Sequence, residues 1–149
     1  MTTDTEKLHF KISLSGTYWS KQPVYTILVN DDVIKTDTIT TASDEVFVVE
    51  FDKELTEGPA TLKIRLENKD NSDTVQNEDK TEILKDILLN IVDIEIDNID
   101  LGTLKYSKSQ FVGDDPTRAA MNECVNLGWN GTWTLSFESP FYIWLLENL

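Results

Sequence analysis

The residues in this chain with the most obvious chemistry are its carboxylates, and they are crowded into one band. Between Glu67 and Asp100 stand eleven acids against Lys69, Lys80 and Lys85, a balance of −8 in 34 residues. Hard cations seek oxygen, and calcium takes six to eight ligands from carboxylates, amide and backbone carbonyls and water. Asp70, Asn71 and Asp73 in one polar stretch, with Asp79 and Asp86 further on, could supply such a set. The spacing is not that of an EF-hand, because Asp70-Asn71-Ser72-Asp73 lacks both the turn glycine and the closing glutamate. The same acids could equally form a solvated face that keeps a sheet edge soluble. Composition leaves both readings open.

Aromatic side chains are the second resource. Tyr18 and Trp19 lie in Ser15–Pro23, a segment of loop composition, flanked by Ser, Thr, Lys and Gln. An exposed aromatic pair among hydrogen-bonding residues suits carbohydrate, since a pyranose stacks on a ring while its hydroxyls are bonded from the side. Trp19 could instead fold back as a core plug. Trp133 lies on an apolar face and belongs to the core, and Trp129 could be either.

Enzymatic chemistry is poorly supplied. His9 is the single histidine, which excludes a multi-histidine metal site, and Ser13 or Ser15 near it has no motif context for a serine–histidine–aspartate arrangement. Carboxylate pairs of the glycosidase kind are available by residue type, but a sandwich of 149 residues has little volume for a deep cleft. Cys124 falls at the end of an expected helix, and an inert thiol is expected of it. A single cysteine also excludes an internal disulfide. The chain reads as a non-enzyme.

The elements that must position these residues are strands. Leu8, Phe10, Ile12 and Leu14 alternate with polar residues, as do Tyr25, Ile27 and Val29, then Phe47, Val49 and Phe51. Ala60, Leu62, Ile64 and Leu66 form the cleanest half-buried strand, and Ile94 and Ile96 and then Trp133, Leu135 and Phe137 repeat the pattern. Asn30-Asp31-Asp32 and Asn98 punctuate turns, and Asn130-Gly131 predicts a tight hairpin. Short strands with turns every eight to twelve residues predict one all-β domain over 1–149, an antiparallel β-sandwich of jelly-roll type. The core should hold Phe10, Ile12, Ile27, Val29, Leu62, Ile64, Leu66, Ile94, Ile96, Trp133, Leu135 and Phe137, joined by the Phe47, Val49 and Phe51 face. One or two short helices are expected: 116–123, where Asp115 can cap and Pro116 suits the first turn, and less firmly 81–89, which a strand fits equally. Residues 1–7 read as a flexible N-terminus, 68–80 as a long acidic loop and 106–115 as a second loop. The run Phe141-Tyr142-Ile143-Trp144-Leu145-Leu146 is apolar at both parities, as in a strand covered on both sides.

Charge narrows the partners. With 27 acids against 13 bases the net charge is −14, which repels nucleic acid and anionic membranes and favours a cation. No stretch approaches the roughly 18 apolar residues of a membrane span. The polar Met1–Lys7 lacks a secretory core, so synthesis and folding in a cytosol are expected, with release by a route such as lysis.

The order of segments resembles a known family. Ile12-Ser13-Leu14-Ser15-Gly16, Val24–Val29 with Asn30-Asp31, Glu45–Phe51, Gly58–Leu66 with Glu67-Asn68-Lys69-Asp70, and Asp86–Asn90 running into Ile94-Glu95-Ile96-Asp97 together resemble the calcium-dependent xylan-binding carbohydrate-binding modules, over about residues 10–102. The resemblance implies a small antiparallel sandwich that holds sugar hydroxyls through a calcium ion in its loops. It implies that Asp70 and Asp86 stand at acidic loop and ligand positions, while Asn90 replaces a usual aspartate. Asp73 and Asp79 complete the ligand candidates, and Tyr18 and Trp19 the sugar-binding ones. The later segment, from Val125 to Trp133 with Ser139–Leu146, is similar in phrase to accessory structural proteins of T4-like tailed phages, including those of marine cyanobacteria. That similarity implies a virion accessory protein on head, tail or fibre. It would bind a virion partner or a host surface glycan, and a purely architectural subunit without sugar binding is the alternative. A homo-oligomer or virion-bound subunit is expected, with Tyr142, Trp144 and Leu146, or Phe141, Ile143 and Leu145, at the contact.

Overall fold

The computed structural model describes residues 4–149, and Met1–Thr3 lie outside the described residues. Alternation builds the strands as expected. In the first sheet, β1 (Thr5–Thr17) pairs antiparallel with β4 (Val46–Thr56) on one side and β8 (Leu88–Ile96) on the other. The short strands β9 (Ile99–Asp100) and β12 (Asn126–Leu127) both add to β8. In the second sheet the order is β11 (Met121–Asn122), β10 (Ser109–Gly113), β13 (Gly131–Ser139), β5 (Gly58–Leu66), β2 (Val24–Val29) and β3 (Asp32–Thr38). A separate ribbon pairs β6 (Val75–Gln76) with β7 (Ile83–Lys85). The architecture is the antiparallel sandwich the sequence predicts.

Leu8, Phe10, Ile12 and Leu14 of β1 and Ile94 and Ile96 of β8 meet Ile27, Val29, Leu62, Ile64, Leu66, Trp133, Leu135 and Phe137 from the other sheet, all buried. Phe47 and Phe51 pack against this core from β4, where Phe10 and Phe51 stack with centroids 5.0 Å apart. Burying each such side chain contributes roughly 1.5–3 kcal/mol, so the continuous apolar layer is the main support of the fold.

Several local expectations give way. The N-terminal stretch is already strand from Thr5 onwards. The segment 106–115 is not a loop: it holds the end of a one-turn helix α1 (Leu104–Ser107) and all of β10. The helix expected over 116–123 does not form. Asp115 Oδ1 instead accepts Thr117 N–H at 2.9 Å and Thr117 Oγ1 at 2.7 Å, closing a local turn, and Met121 is drawn into pairing with Phe111. Strand wins over helix in 81–89, through β7 and the start of β8. The loop 68–80 carries a 3₁₀ turn at Asn71–Asp73 and then β6.

Asn130-Gly131 makes no hairpin, because β12 pairs with β8 and β13 with β5 and β10. The left-handed pairs that tight hairpins need are Asn30-Asp31 between β2 and β3 and Asp97-Asn98 between β8 and β9, all with φ between 49° and 67°. The C-terminal run is helix α2 (Phe141–Asn148) rather than strand. Phe141, Trp144 and Leu145 are buried at i, i+3 and i+4, while Tyr142, Ile143 and Leu146 are 52%, 55% and 74% exposed. Neither expected parity set is therefore a face, because the spacing is helical. Among the described residues, no helix is long and apolar enough to cross a membrane.

Candidate ligand cleft

The loops at one end of the sandwich are stitched by asparagine side chains. Asn68 Oδ1 accepts Val24 N–H at 2.8 Å and its amide donates to the Gln22 carbonyl at 3.0 Å, which ties the exit of β5 to the entry of β2. Asn130 repeats the device on Lys69, accepting its N–H at 2.8 Å and donating to its carbonyl at 3.0 Å. An amide can imitate a strand's donor and acceptor in this way wherever backbone pairing stops. Residues 67–74 and 128–130 are thereby locked side by side.

Between them lies a cleft of about 230 Å³, lined by Lys69, Asp70, Asn71, Thr74, Gln76, Arg118, Gly128, Trp129 and Asn130. A second depression of about 220 Å³ continues past Arg118 and Trp129 to Asp114 and Asp115. Trp129 forms the wall common to both. Its ring rests on Phe111, centroids 5.7 Å apart, with the Arg118 guanidinium 4.2 Å above the centroid. Space for the indole exists because position 113 is glycine, and Gly131, opposite it across β10 and β13, lets the two strands approach closely. A Cβ on Gly113 would fall on the indole ring, and one on Gly131 would meet the Val112 carbonyl and Gly113 Cα. The buried indole N–H of Trp129 has no partner among the described residues. Aromatic wall, amides, hydroxyl and cations at this scale make a surface that can hold a small polar ring.

Trp19 and the expected acids Asp70, Asp73 and Asp86 come to the same end. The Trp19 indole donates to the Asp73 carbonyl at 2.8 Å, and the Lys85 ammonium sits 4.9 Å from its ring centroid. Tyr18 turns the other way, its hydroxyl donating to the Thr41 carbonyl at 3.0 Å, so the two neighbours do not form one platform. Lys21 bridges Asp70 at 2.8 Å and the buried carboxylate of Asp73 at 2.9 Å. Lys69 reaches Asp86 at 2.6 Å and the Gly128 carbonyl at 2.5 Å. Asp79 is exposed in the turn beyond β6.

Burial pushes Asp73 and Asp86 up, but their partners overrule it. The Asp70 N–H and Lys21 hold Asp73 below the ordinary carboxylate range, and Lys69, Thr74 and the Ile87 N–H do the same for Asp86. Among the described residues, no group of three or more histidine, cysteine, aspartate or glutamate side chains is placed to hold a metal ion. The acids expected to bind calcium are divided between two lysines, and the donor set does not fit calcium. Cys124 is half-buried and its thiol is pushed up by burial, which leaves little thiolate.

Sequence reasoning missed Lys69, Arg118, Asn130 and the glycine pair. The signals were present: a lysine inside an acidic run, and two glycines in segments that pair.

No protein-family model and no curated protein matches the chain. Among solved structures, its fold is similar to the selenomethionine form of vCBM60, reported with circular permutation as a link between two families of calcium-dependent carbohydrate binding modules. The TM-score is 0.55 at 12% identity, over 86% of this chain and 89% of that one. Similarity to vCBM60 in complex with galactobiose has a TM-score of 0.52 at 14% identity, over 87% of this chain and 97% of that one. The likeness is one of fold, an antiparallel sandwich shared with vCBM60.

Proposed function

We propose that this chain is a non-catalytic glycan-binding module that reads its sugar in the cleft beside Trp129. The observation that carries the reading is the cleft itself: an aromatic wall, with Asn71, Thr74, Gln76 and Asn130 to bond hydroxyls, at the loop end of such a sandwich. A ring of one or two sugars would lie along Trp129 and exchange water for these groups, with Arg118 swinging aside or bonding the edge. The reading assigns these groups retention of a glycan rather than its turnover. Glycan-array binding followed by titration calorimetry tests it. Wild type should bind at least one oligosaccharide, Trp129→Ala should weaken it by about tenfold or more, and silence across the array defeats the reading.

The setting proposed for this activity is a virion surface, with a host glycan as ligand; what supports it is the phrase-level resemblance of Val125–Trp133 and Ser139–Leu146 to phage accessory proteins read in the sequence. A second reading, an architectural subunit, is favoured by the outward face of α2, where Tyr142, Ile143, Leu146 and Leu149 are exposed. Detection of the chain by mass spectrometry in purified particles, or its absence from them, decides the setting.

A further inference from the structure

Lys69 brings a buried positive charge in among the cleft-forming loops. Its side chain is only 8% exposed, and its ammonium lies between Asp86 Oδ1 and the Gly128 carbonyl, joining the loop after β5 to the start of β8 and to the loop before β13. Asp86 Oδ1 also accepts the Thr74 hydroxyl at 2.7 Å and the Ile87 N–H at 2.8 Å. Three donors saturate that one oxygen, so Asp86 has only Oδ2 left to offer a metal. Asp73 Oδ2 accepts the Asp70 N–H at 2.7 Å and Lys21 at 2.9 Å, while Oδ1 has only the Ser20 hydroxyl at 3.5 Å. A calcium ion wants six or more oxygens, and here it would compete with Lys21 and Lys69 for carboxylates each already neutralised by an ammonium.

We infer that the Lys69 ammonium is this fold's built-in cation: it joins the cleft-forming loops in place of calcium, and the cleft is assembled without a divalent metal. Lys21 performs the same service for Asp70 and Asp73, leaving one net negative charge from three acids and two lysines. The similar vCBM60 structure is reported with calcium-dependent modules; in this chain the counter-charge is carried covalently, on Lys21 and Lys69. Its loop end is then indifferent to calcium concentration and to chelators.

The inference stands apart from the glycan reading, because its test needs no sugar. Thermal melts of the full chain in EDTA and in millimolar calcium chloride should coincide, and calorimetry with calcium alone should show no binding. A calcium-induced rise of about 5 °C or more overturns the inference. Lys69→Met should lower the melting temperature by about 5 °C or more by stranding Asp86. Adding Asp86→Asn should recover at least half of that loss. If the double variant melts no higher than Lys69→Met, the lysine contributes packing rather than charge and the inference fails. Should Lys69→Met not fold, a folded, cooperative double variant supports the inference and an unfolded one overturns it. If a glycan is found, its affinity should be unchanged by EDTA, whereas silence on every array leaves the calcium and double-variant results intact.

Discussion

The two ends of the sandwich solve the same problem with opposite materials. β13 runs between them, from Gly131 beside Trp129 to Ser139 before α2. At the cleft end, loops are joined by amide clasps and by two lysines set among carboxylates. At the other end, Phe137, Phe141 and Trp144 pack with ring centroids 6.0–6.4 Å apart, and α2 closes the core like a lid. Polar joints are directional, so they hold a concave surface open to solvent; apolar packing is not, and it fills whatever space it meets. A site can be built from the first and a plug from the second.

Breaking the apolar end should have the largest effect. Trp144→Ala removes a buried indole and should cost about 3–5 kcal/mol of stability, read from chemical denaturation, while leaving glycan affinity of the folded fraction unchanged. An equal loss of affinity would mean that the ends are coupled. At the polar end, Asn130→Ala removes both bonds to the Lys69 backbone and should cost about 2 kcal/mol. Here the affinity should fall with the stability, which is the signature that separates the two ends.

Smaller still is the joint where charge assists the apolar end. Glu6 of β1 accepts the Phe141 N–H at 2.7 Å and the Ser139 hydroxyl, capping a helix whose own N-cap residue, Pro140, offers no side-chain cap. Glu6→Ala should cost about 1 kcal/mol, and hydrogen exchange should show α2 fraying first. Acid should act on the cleft end. Asp73 and Asp86 have lowered values in the fold, so their contribution is complete above the unfolded carboxylate range and is lost as pH falls through those lowered values. Melting temperature should therefore drop below about pH 4, and Asp86→Asn should flatten part of that slope. The least effect belongs to His9. Its bond to Asp52 raises it, burial opposes that next in size, and the charges of Asp52 and Glu50 add to the rise. That contribution is present below the unfolded histidine value and disappears as pH rises through the raised one. On so exposed a pair the melting temperature should move by less than about 1 °C between roughly pH 6 and 9; a larger change would make the outer face of the first sheet a titrating device.

The same contrast explains what could be read from the sequence. The core residues named from alternation are buried, from Phe10 to Phe137, with Phe47 and Phe51 half-buried on β4, because a period of two leaves a strand one way to face the core. The C-terminal run misled because Phe141–Leu146 is apolar all round, and a run that short looks alike in strand and helix until packing chooses. Residues 116–123 had a capping aspartate and good helix formers, yet Arg118 found Trp129 and Met121 found Phe111, and long-range partners outweighed local propensity. The cleft was half legible. Of the marked residues Asp70 lines it, and Asp73, Asp86 and Trp19 lie at the same end outside its lining; the pairing of the acids with Lys21 and Lys69 depends on loop contacts between residues as far apart as 21 and 73, which no local pattern encodes.

The contact between Glu6 and α2 also fixes a polarity of attachment. The first strand and the last helix enter the same end of the molecule, and nine residues of β13, about 27 Å of extended chain, separate that end from Trp129. A tether, tag or neighbouring subunit fastened near either terminus holds the domain by its heel with the cleft pointing outward. Many copies rooted on one surface would present a carpet of upright sites, each weak contact adding to the next through avidity.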